Sequence, residues 1–160
     1  MKIKPLIIYT VLAVYIISAS YMLFFMRRSL LSFYSYGEYF RENSNFVPFT
    51  TVKEFIGYLR TDDEIYGSIS FANIWGNLAI FFPAGILFPA IWKKQRKFGA
   101  YVLTIAAVII AVEAVQFLTM CGSCDIDDFI LNIAGACIGF AFTKLNIVKE
   151  LAFIDKENRK

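Results

Sequence analysis

The sequence contains no histidine among its 160 residues. This absence excludes Ser-His-Asp and Cys-His nucleophile arrangements and every metal site with histidine ligands. Charged residues are also few, at 18%, and the formal net charge of +3 comes without a basic stripe interleaved with aromatic residues. A nucleic-acid partner is therefore not expected. With three cysteines, the chain has too few to form a disulfide framework.

Apolar residues dominate what is present. They make up 58% of the chain, aromatic residues make up 18%, and the mean hydropathy is +0.58. Several stretches are apolar on all sides, whereas a soluble helix would have one apolar face. The composition predicts a single domain over residues 1–160 with an all-α fold, a polytopic membrane helical bundle.

Four apolar stretches approach the length of about 20 residues that crosses a bilayer core. The predicted spans are residues 6–26, 72–92, 98–120 and 126–142, followed by a charged tail at 144–160. Lys2, Lys4 and the small residues at 18–20 imitate a secretory signal. We expect a retained first helix instead, because the apolar stretch continues to Met26.

The long connection at 27–70 is mixed, polar and aromatic. Within it, Thr51 and Glu54 fit a capping box, which predicts a short amphipathic helix packed against the spans. Pro83 is expected to kink the second span. Gly135 and Gly139 form a G-x-x-x-G motif that predicts close helix packing.

Lysine and arginine counts predict the orientation. With four spans, eleven basic residues lie on the side of both termini and five on the other side. The positive-inside rule therefore favours a multi-pass membrane protein with both termini cytoplasmic and the long connection extracytoplasmic.

Polar residues gather near one end of the predicted bundle. Charges at a span centre cost roughly 2.5–3.5 kcal/mol, so they usually face a partner or a cavity. The members of this group are Asn73, Asn77, Glu113, Gln116, Asp125, Asp127, Asp128 and Asn132. With a rise of about 1.5 Å per residue along each helix, these side chains are predicted to lie at two depths in the membrane, in two layers that three helices share. The outer layer holds Asn73, Gln116 and Asp128, and the deeper layer holds Asn77, Glu113 and Asn132.

Two interpretations of these residues stay open. Glu113 and Asp128 are the candidate catalytic residues, and the other members are candidate ligand-binding residues; alternatively, the polar groups only pair with one another inside the bundle. The three aspartates Asp125, Asp127 and Asp128 could hold a divalent cation or cap the fourth helix. Cys121 and Cys124 predict a surface turn, stapled by a disulfide or unpaired.

The same residues carry a family resemblance. The stretch NIWGNLAIFFPAG at 73–85 resembles the first signature of the VanZ-like family, small membrane proteins associated with teicoplanin resistance. The segments EAVQ at 113–116 and DIDDFILNIAG at 125–135 are similar to the second signature, and NFVPF at 45–49 matches a lesser element. The family commonly has a basic residue in the turn before the Asp-x-Asp-Asp run. Here Gly122, Ser123 and Cys124 provide none, which puts any contact of that residue with an anionic ligand in doubt.

The resemblance implies a role in glycopeptide tolerance but does not supply a reaction. One hypothesis is a recognition protein that binds a lipoglycopeptide or a lipid-linked cell-envelope component at the outer leaflet. Another is a membrane enzyme in which Glu113 acts as general acid or base on a lipid-anchored envelope precursor. A third is proton-coupled transport through Glu113, which four spans without an internal repeat make less favourable.

Overall fold

The computed structural model describes residues 3–26, 35–58, 60 and 64–152. Apolar stretches form helices because a helix satisfies its own backbone groups where no water is available. The helices are α1 (Ile3–Tyr21), α2 (Tyr36–Glu42), α3 (Thr50–Tyr58), α4 (Glu64–Ile80), α5 (Phe82–Ile91), α6 (Phe98–Leu118), α7 (Ile126–Phe142) and α8 (Asn146–Leu151). Two short strands, β1 (Ser44–Asn45) and β2 (Cys124–Asp125), pair in parallel. The predicted all-α helical bundle is confirmed.

Three helical segments in the described part of the chain are long and apolar enough to cross a membrane. They are Leu6–Phe25, Ile65–Ile91 and Phe98–Leu118. Helix α7 coincides with the fourth predicted span, at 17 residues. The count of four spans stays a prediction.

Several predicted boundaries move. The second span consists of α4 and α5, and α4 begins at Glu64 rather than at residue 72. Helix α1 continues into a π-helical turn at Met22–Met26, and α6 ends at Leu118 rather than at residue 120. The predicted charged tail includes α8, and its residues 153–160 lie outside the described residues, as do Arg27 and Arg28.

The second span breaks at Phe81. Pro83 lies in the first turn of α5, and because proline has no N–H it cannot continue the hydrogen-bond ladder of α4. Tyr15 of α1 donates its hydroxyl to the Ile80 carbonyl at 2.9 Å, which supplies a partner at the break. The predicted kink at Pro83 is confirmed.

Helix α7 is the central element and packs against α4, α5 and α6. Tyr101, Ile105 and Ile109 are fully buried, and their spacing of four puts them on one face of α6. Tyr101 also donates its hydroxyl to the Ala136 carbonyl of α7 at 3.1 Å. The core therefore lies between α6, α7 and the break in the second span.

Glycines allow α7 to touch the second span backbone to backbone. A Cβ at Gly135 would overlap the Leu78 carbonyl, and a Cβ at Gly139 would overlap the Phe82 carbonyl. Gly85 is equally confined, against the α7 backbone near Ala136. The G-x-x-x-G motif is a packing device, as one of the sequence interpretations proposed.

A segment of the long connection, residues 43–52, lies across the start of α7, and we call it the strap. Its strand β1 pairs with β2, so that Ser44 is opposite Cys124 and Asn45 is opposite Asp125. The Asp125 carboxylate accepts the Asn45 amide at 3.2 Å and the Thr51 hydroxyl at 2.6 Å. The same carboxylate accepts the Asp127 N–H at 2.8 Å and so caps α7.

Asp127 completes this attachment from within the first turn of α7. Its carboxylate accepts the backbone N–H groups of Phe49 and Val52, at 2.5 and 3.0 Å, where α3 begins. Asp127 is 1% exposed, so α3 is capped by a buried carboxylate of another helix. The predicted capping box is wrong: Thr51 lies inside α3, and its hydroxyl donates to Asp125.

The glycine crossing generates a stability prediction. Gly135→Ala should lower the free energy of unfolding by about 1–3 kcal/mol, because the added methyl group forces two helix backbones apart. Gly76→Ala on α4 is the matched control, since a Cβ there meets nothing within 4 Å. The control should be neutral or gain about 0.5–1 kcal/mol. Thermal unfolding in detergent measures both, and equal midpoints for the two variants would contradict the packing role.

The attachment of the strap generates a second prediction. Asp127→Asn removes the charge that two N–H groups of α3 share, and should destabilise the start of α3 by about 1–2 kcal/mol. Hydrogen exchange should become faster at residues 44–58, with little change in α6. Glu54→Gln, an exposed change on α3, is the control. Unchanged exchange in Asp127→Asn would mean that the strap is held by other contacts.

Candidate ligand-binding site

Polar side chains from three helices meet in a seam next to the start of α7. The Asn77 amide of α4 donates to the Asp128 carboxylate. The Asn132 amide donates to the Glu113 carboxylate of α6 at 3.4 Å. Asn77 and Asn132 are fully buried, whereas Glu113 and Asp128 are half-buried. Sequence reasoning placed all four of these residues on converging helices, and the structure brings them together.

The two proposed layers do not separate as predicted. Asn77 of the deeper layer reaches Asp128 of the outer layer, so the two layers are joined. Gln116 is buried and donates to the Leu23 carbonyl at 2.9 Å, which ties α6 to the π-helical turn after α1. Asn73 is half-buried one turn before Asn77, and no hydrogen bond of its side chain occurs within the described residues.

One acceptor in the seam lacks a partner. The Asn132 Oδ1 atom is buried and receives no hydrogen bond from any residue that the structure describes. A buried amide oxygen normally meets a donor, such as a water molecule or a group of a ligand. The seam therefore offers an acceptor beside Glu113.

A pocket of about 360 Å³ opens beside the seam, between α6, the start of α7 and the strap. Its lining consists of Phe46, Ile110, Glu113, Ala114, Phe117, Cys124, Asp125, Ile126 and Phe129. Two of these residues are carboxylates, and most of the others are aromatic or aliphatic. Glu113 belongs both to the seam and to the pocket wall, so it is the residue where the two features join.

The strap supplies the outer wall of this pocket. Phe46 stands next to Asn45, which Asp125 and Thr51 both hold. Phe40 of α2 packs near Phe46, with ring centroids 6.2 Å apart, and contacts Phe117 of α6 edge-on at 5.7 Å. The attachment through Asp125 therefore decides where the aromatic wall lies.

Sequence reasoning missed the anchoring role of α2. The Tyr39 hydroxyl donates to the Gly122 carbonyl in the turn before β2, and the Tyr36 hydroxyl donates to the Leu118 carbonyl at 3.1 Å. Tyr39 is 1% exposed despite lying outside the predicted spans. The available signal was the high aromatic content of residues 33–49, which exceeds what a solvated connection needs.

The three aspartates have distinct positions. Asp125 caps α7 and holds the strap, Asp127 caps α3, and Asp128 accepts from Asn77. Among the described residues, no group of three or more carboxylate or cysteine side chains is arranged to hold a metal ion. The divalent cation at Asp125, Asp127 and Asp128 stays a prediction.

The turn between α6 and α7 carries free thiols. Cys121 and Cys124 are unpaired, and the Cys121 thiol lies 3.4 Å from the Thr119 carbonyl. Partial burial raises the pKa of the Cys124 thiol, and the nearby charges of Glu113 and Asp125 raise that pKa further. Cys124 is therefore a protonated, weakly nucleophilic group in the pocket wall at neutral pH.

Comparison with known proteins identifies the family. A family model described as VanZ/LLP1 matches residues 8–148, which include the strap, the seam and the pocket. No curated protein and no solved structure matches the chain. Three of its helical segments are apolar enough to cross a membrane. Because the family match covers most of the chain, the chain belongs to the VanZ/LLP1 family and is a VanZ-like membrane protein of a family linked to resistance in general.

Proposed function

We propose that the pocket binds an amphiphilic ligand and that this binding contributes to glycopeptide resistance. The ligand is a lipoglycopeptide antibiotic of the teicoplanin type or a lipid-linked cell-envelope component. The observation that carries the proposal is the pocket of about 360 Å³, whose surface is almost wholly apolar and whose lining residues include Glu113 and Asp125. Pockets for small molecules combine these features, with volumes of about 300–1,000 Å³.

The apolar surface of the pocket favours the hydrocarbon part of a ligand, and Glu113 and Asp125 are the lining residues that can accept hydrogen bonds from its polar part. Carboxylates accept from amide, amine and hydroxyl groups, which peptides and amino sugars offer. No lysine or arginine is among the described residues that line the pocket. A phosphate group would therefore find no charge partner there, whereas an acyl chain would find Phe46, Phe117 and Phe129.

The distribution of basic residues supports an outward-facing pocket. Eleven lysine and arginine residues lie on the side of the two termini and of the 93–97 run, against five on the other side, given four spans. The positive-inside rule then orients both termini to the cytoplasm and the strap to the outer face of the bacterial cell membrane. A glycopeptide or an envelope precursor would reach the pocket from that face.

The polar residues have separate roles in this proposal. Glu113 contacts the ligand, and Asn132 orients Glu113. Asp128 and Asn77 keep α4 beside α7, so that the pocket wall stays in register. Gln116 fixes α6 to the end of α1, and Asp125 and Asp127 position Phe46 through the strap. Asn73 lies on α4, which contributes no described residue to the pocket lining, and it has no role in this proposal.

The alternative of a membrane enzyme receives less support. It needs Glu113 and Asp128 as acid or base, a divalent cation at the aspartates, or a nucleophile from the turn. The raised pKa of Cys124 disfavours thiolate chemistry at neutral pH. Asp125 and Asp127 already accept two or more hydrogen bonds from the protein, which leaves fewer lone pairs for a metal ion.

A binding experiment tests the pocket directly. Ala114→Phe should fill the pocket and weaken saturable binding of teicoplanin to protein in nanodiscs by about tenfold or more, equal to about 1.4 kcal/mol. Ala111→Phe on the same helix is the control, because Ala111 is exposed and does not line the pocket. Deacylated teicoplanin should bind more weakly than teicoplanin. Absence of saturable binding by the wild-type protein to teicoplanin and to envelope lipids would overturn the proposal.

The role of Glu113 has its own test. Glu113→Gln keeps the shape of the side chain and an acceptor for Asn132 but removes the charge, so binding should weaken by about tenfold, as expected for a hydrogen bond to a charged group. Cells that express this variant should lose most of the resistance conferred by the wild-type protein, at equal amounts in the membrane. Cells with Glu54→Gln should keep it. Full resistance with Glu113→Gln would reduce Glu113 to a structural partner of Asn132.

A further inference from the structure

A second cavity, of about 220 Å³, lies between α1, α5 and α6, away from the candidate pocket. Its walls are almost wholly apolar, with Leu12, Ala19 and Leu23 on one side and Phe88 and Ile105 on the other. The hydroxyl of Tyr15, one of its few polar groups, already donates to the Ile80 carbonyl. The cavity therefore suits a hydrocarbon chain.

The cavity is about half as long as the hydrocarbon core of a bilayer is thick. Its lining runs from Leu12 on α1 to Leu23 in the π-helical turn, over about 16 Å at a rise of about 1.5 Å per residue. The hydrocarbon core of a bilayer is about 30 Å thick, so this length is about half of it. Helix α1 leaves most of its apolar surface outside the bundle, and the cavity is the gap left between α1 and the better packed helices.

One end of the cavity carries the features of a membrane interface. Trp92 lines that end and is 45% exposed, and the 3₁₀-helix Lys93–Arg96 follows it directly. Lys94 and Lys97 are exposed. Arg96 donates its Nε–H to the Pro89 carbonyl at 3.1 Å, which holds the basic run against the end of α5. Tryptophan and basic side chains at such a position attract anionic lipid head groups.

We propose that this cavity holds one acyl chain of an anionic phospholipid, whose head group lies at Lys94 and Lys97. The apolar walls account for the chain, and the charge of the basic run selects the head group. An acyl chain in the cavity would fill the space beside α1 and so stabilise this loosely packed helix against the bundle. This lipid site is separate from the proposed ligand pocket and does not depend on glycopeptide binding.

Native mass spectrometry of the full chain tests the proposal after extraction from vesicles of equal phosphatidylglycerol and phosphatidylcholine content. The wild-type protein should retain phosphatidylglycerol about threefold or more over phosphatidylcholine, because its basic run attracts negative charge. Lys94→Gln with Lys97→Gln should abolish the preference while some lipid is still retained. Lys53→Gln, at an exposed lysine of α3, should leave the preference unchanged.

A second pair of variants tests the cavity itself. Ala19→Phe should fill the cavity and remove the retained lipid, whereas Ala13→Phe, at an exposed position of α1 outside the cavity, should not. Thermal unfolding of both variants checks that they are folded. Equal retention of the two phospholipids by the wild-type protein, or full lipid retention in a folded Ala19→Phe variant, would overturn the proposal. If Ala114→Phe loses teicoplanin binding but retains phospholipid, the two sites are separate, and the result supports the lipid site independently of the ligand pocket.

Discussion

One buried carboxylate joins the beginnings of two helices. Asp127 lies in the first turn of α7, and its oxygen atoms accept the N–H groups of Phe49 and Val52 at the start of α3. The first N–H groups of a helix have no partner within the helix, so their burial requires an acceptor from elsewhere. Because Asp127 provides it, the strap must lie across α7. The position of Phe46, and with it the outer wall of the pocket, depends on this interaction together with the contacts of Asp125 to Asn45 and Thr51.

Hydropathy predicted much of the bundle. It gave the extent of α7 correctly, because Asp125 marks its N-cap and Lys144 follows its last apolar turn. It placed the start of the second span too late, at residue 72, because Glu64, Ser68 and Ser70 interrupt the apolar residues before it, although the segment Ile65–Ile91 is apolar enough to cross a membrane. In the structure α4 starts at Glu64 and packs against α3, although the side chains of Ile65 and Tyr66 stay mostly exposed. Local hydropathy alone does not predict that contact between α3 and α4.

The sequence predicted which residues form the candidate site better than it predicted which of them form hydrogen bonds with one another. Helical spacing placed Asn77, Glu113 and Asn132 on inward faces, and the seam contains all three. Gln116 was grouped with this set by its rise along α6, but its side chain faces the π-helical turn after α1, where it donates to the Leu23 carbonyl. The sequence also did not predict that a carboxylate of α7 caps α3, because Thr51 and Glu54 fit a local capping box. Contacts between segments far apart in sequence decide such pairs.

Helix α6 separates the two cavities. Residues two positions apart on a helix of 3.6 residues per turn differ by about 200° in direction. Val108 and Val112 line the cavity beside α1, whereas Ile110 and Ala114 line the pocket beside the strap. The two proposed occupants therefore lie on opposite faces of one helix. Because Lys97 precedes α6 and Glu113 lies near its other end, about 24 Å of helix also separates the basic head-group site from the Glu113 carboxylate. An anionic lipid and a donor-rich amphiphile can thus be bound by one small bundle without competing for the same charge.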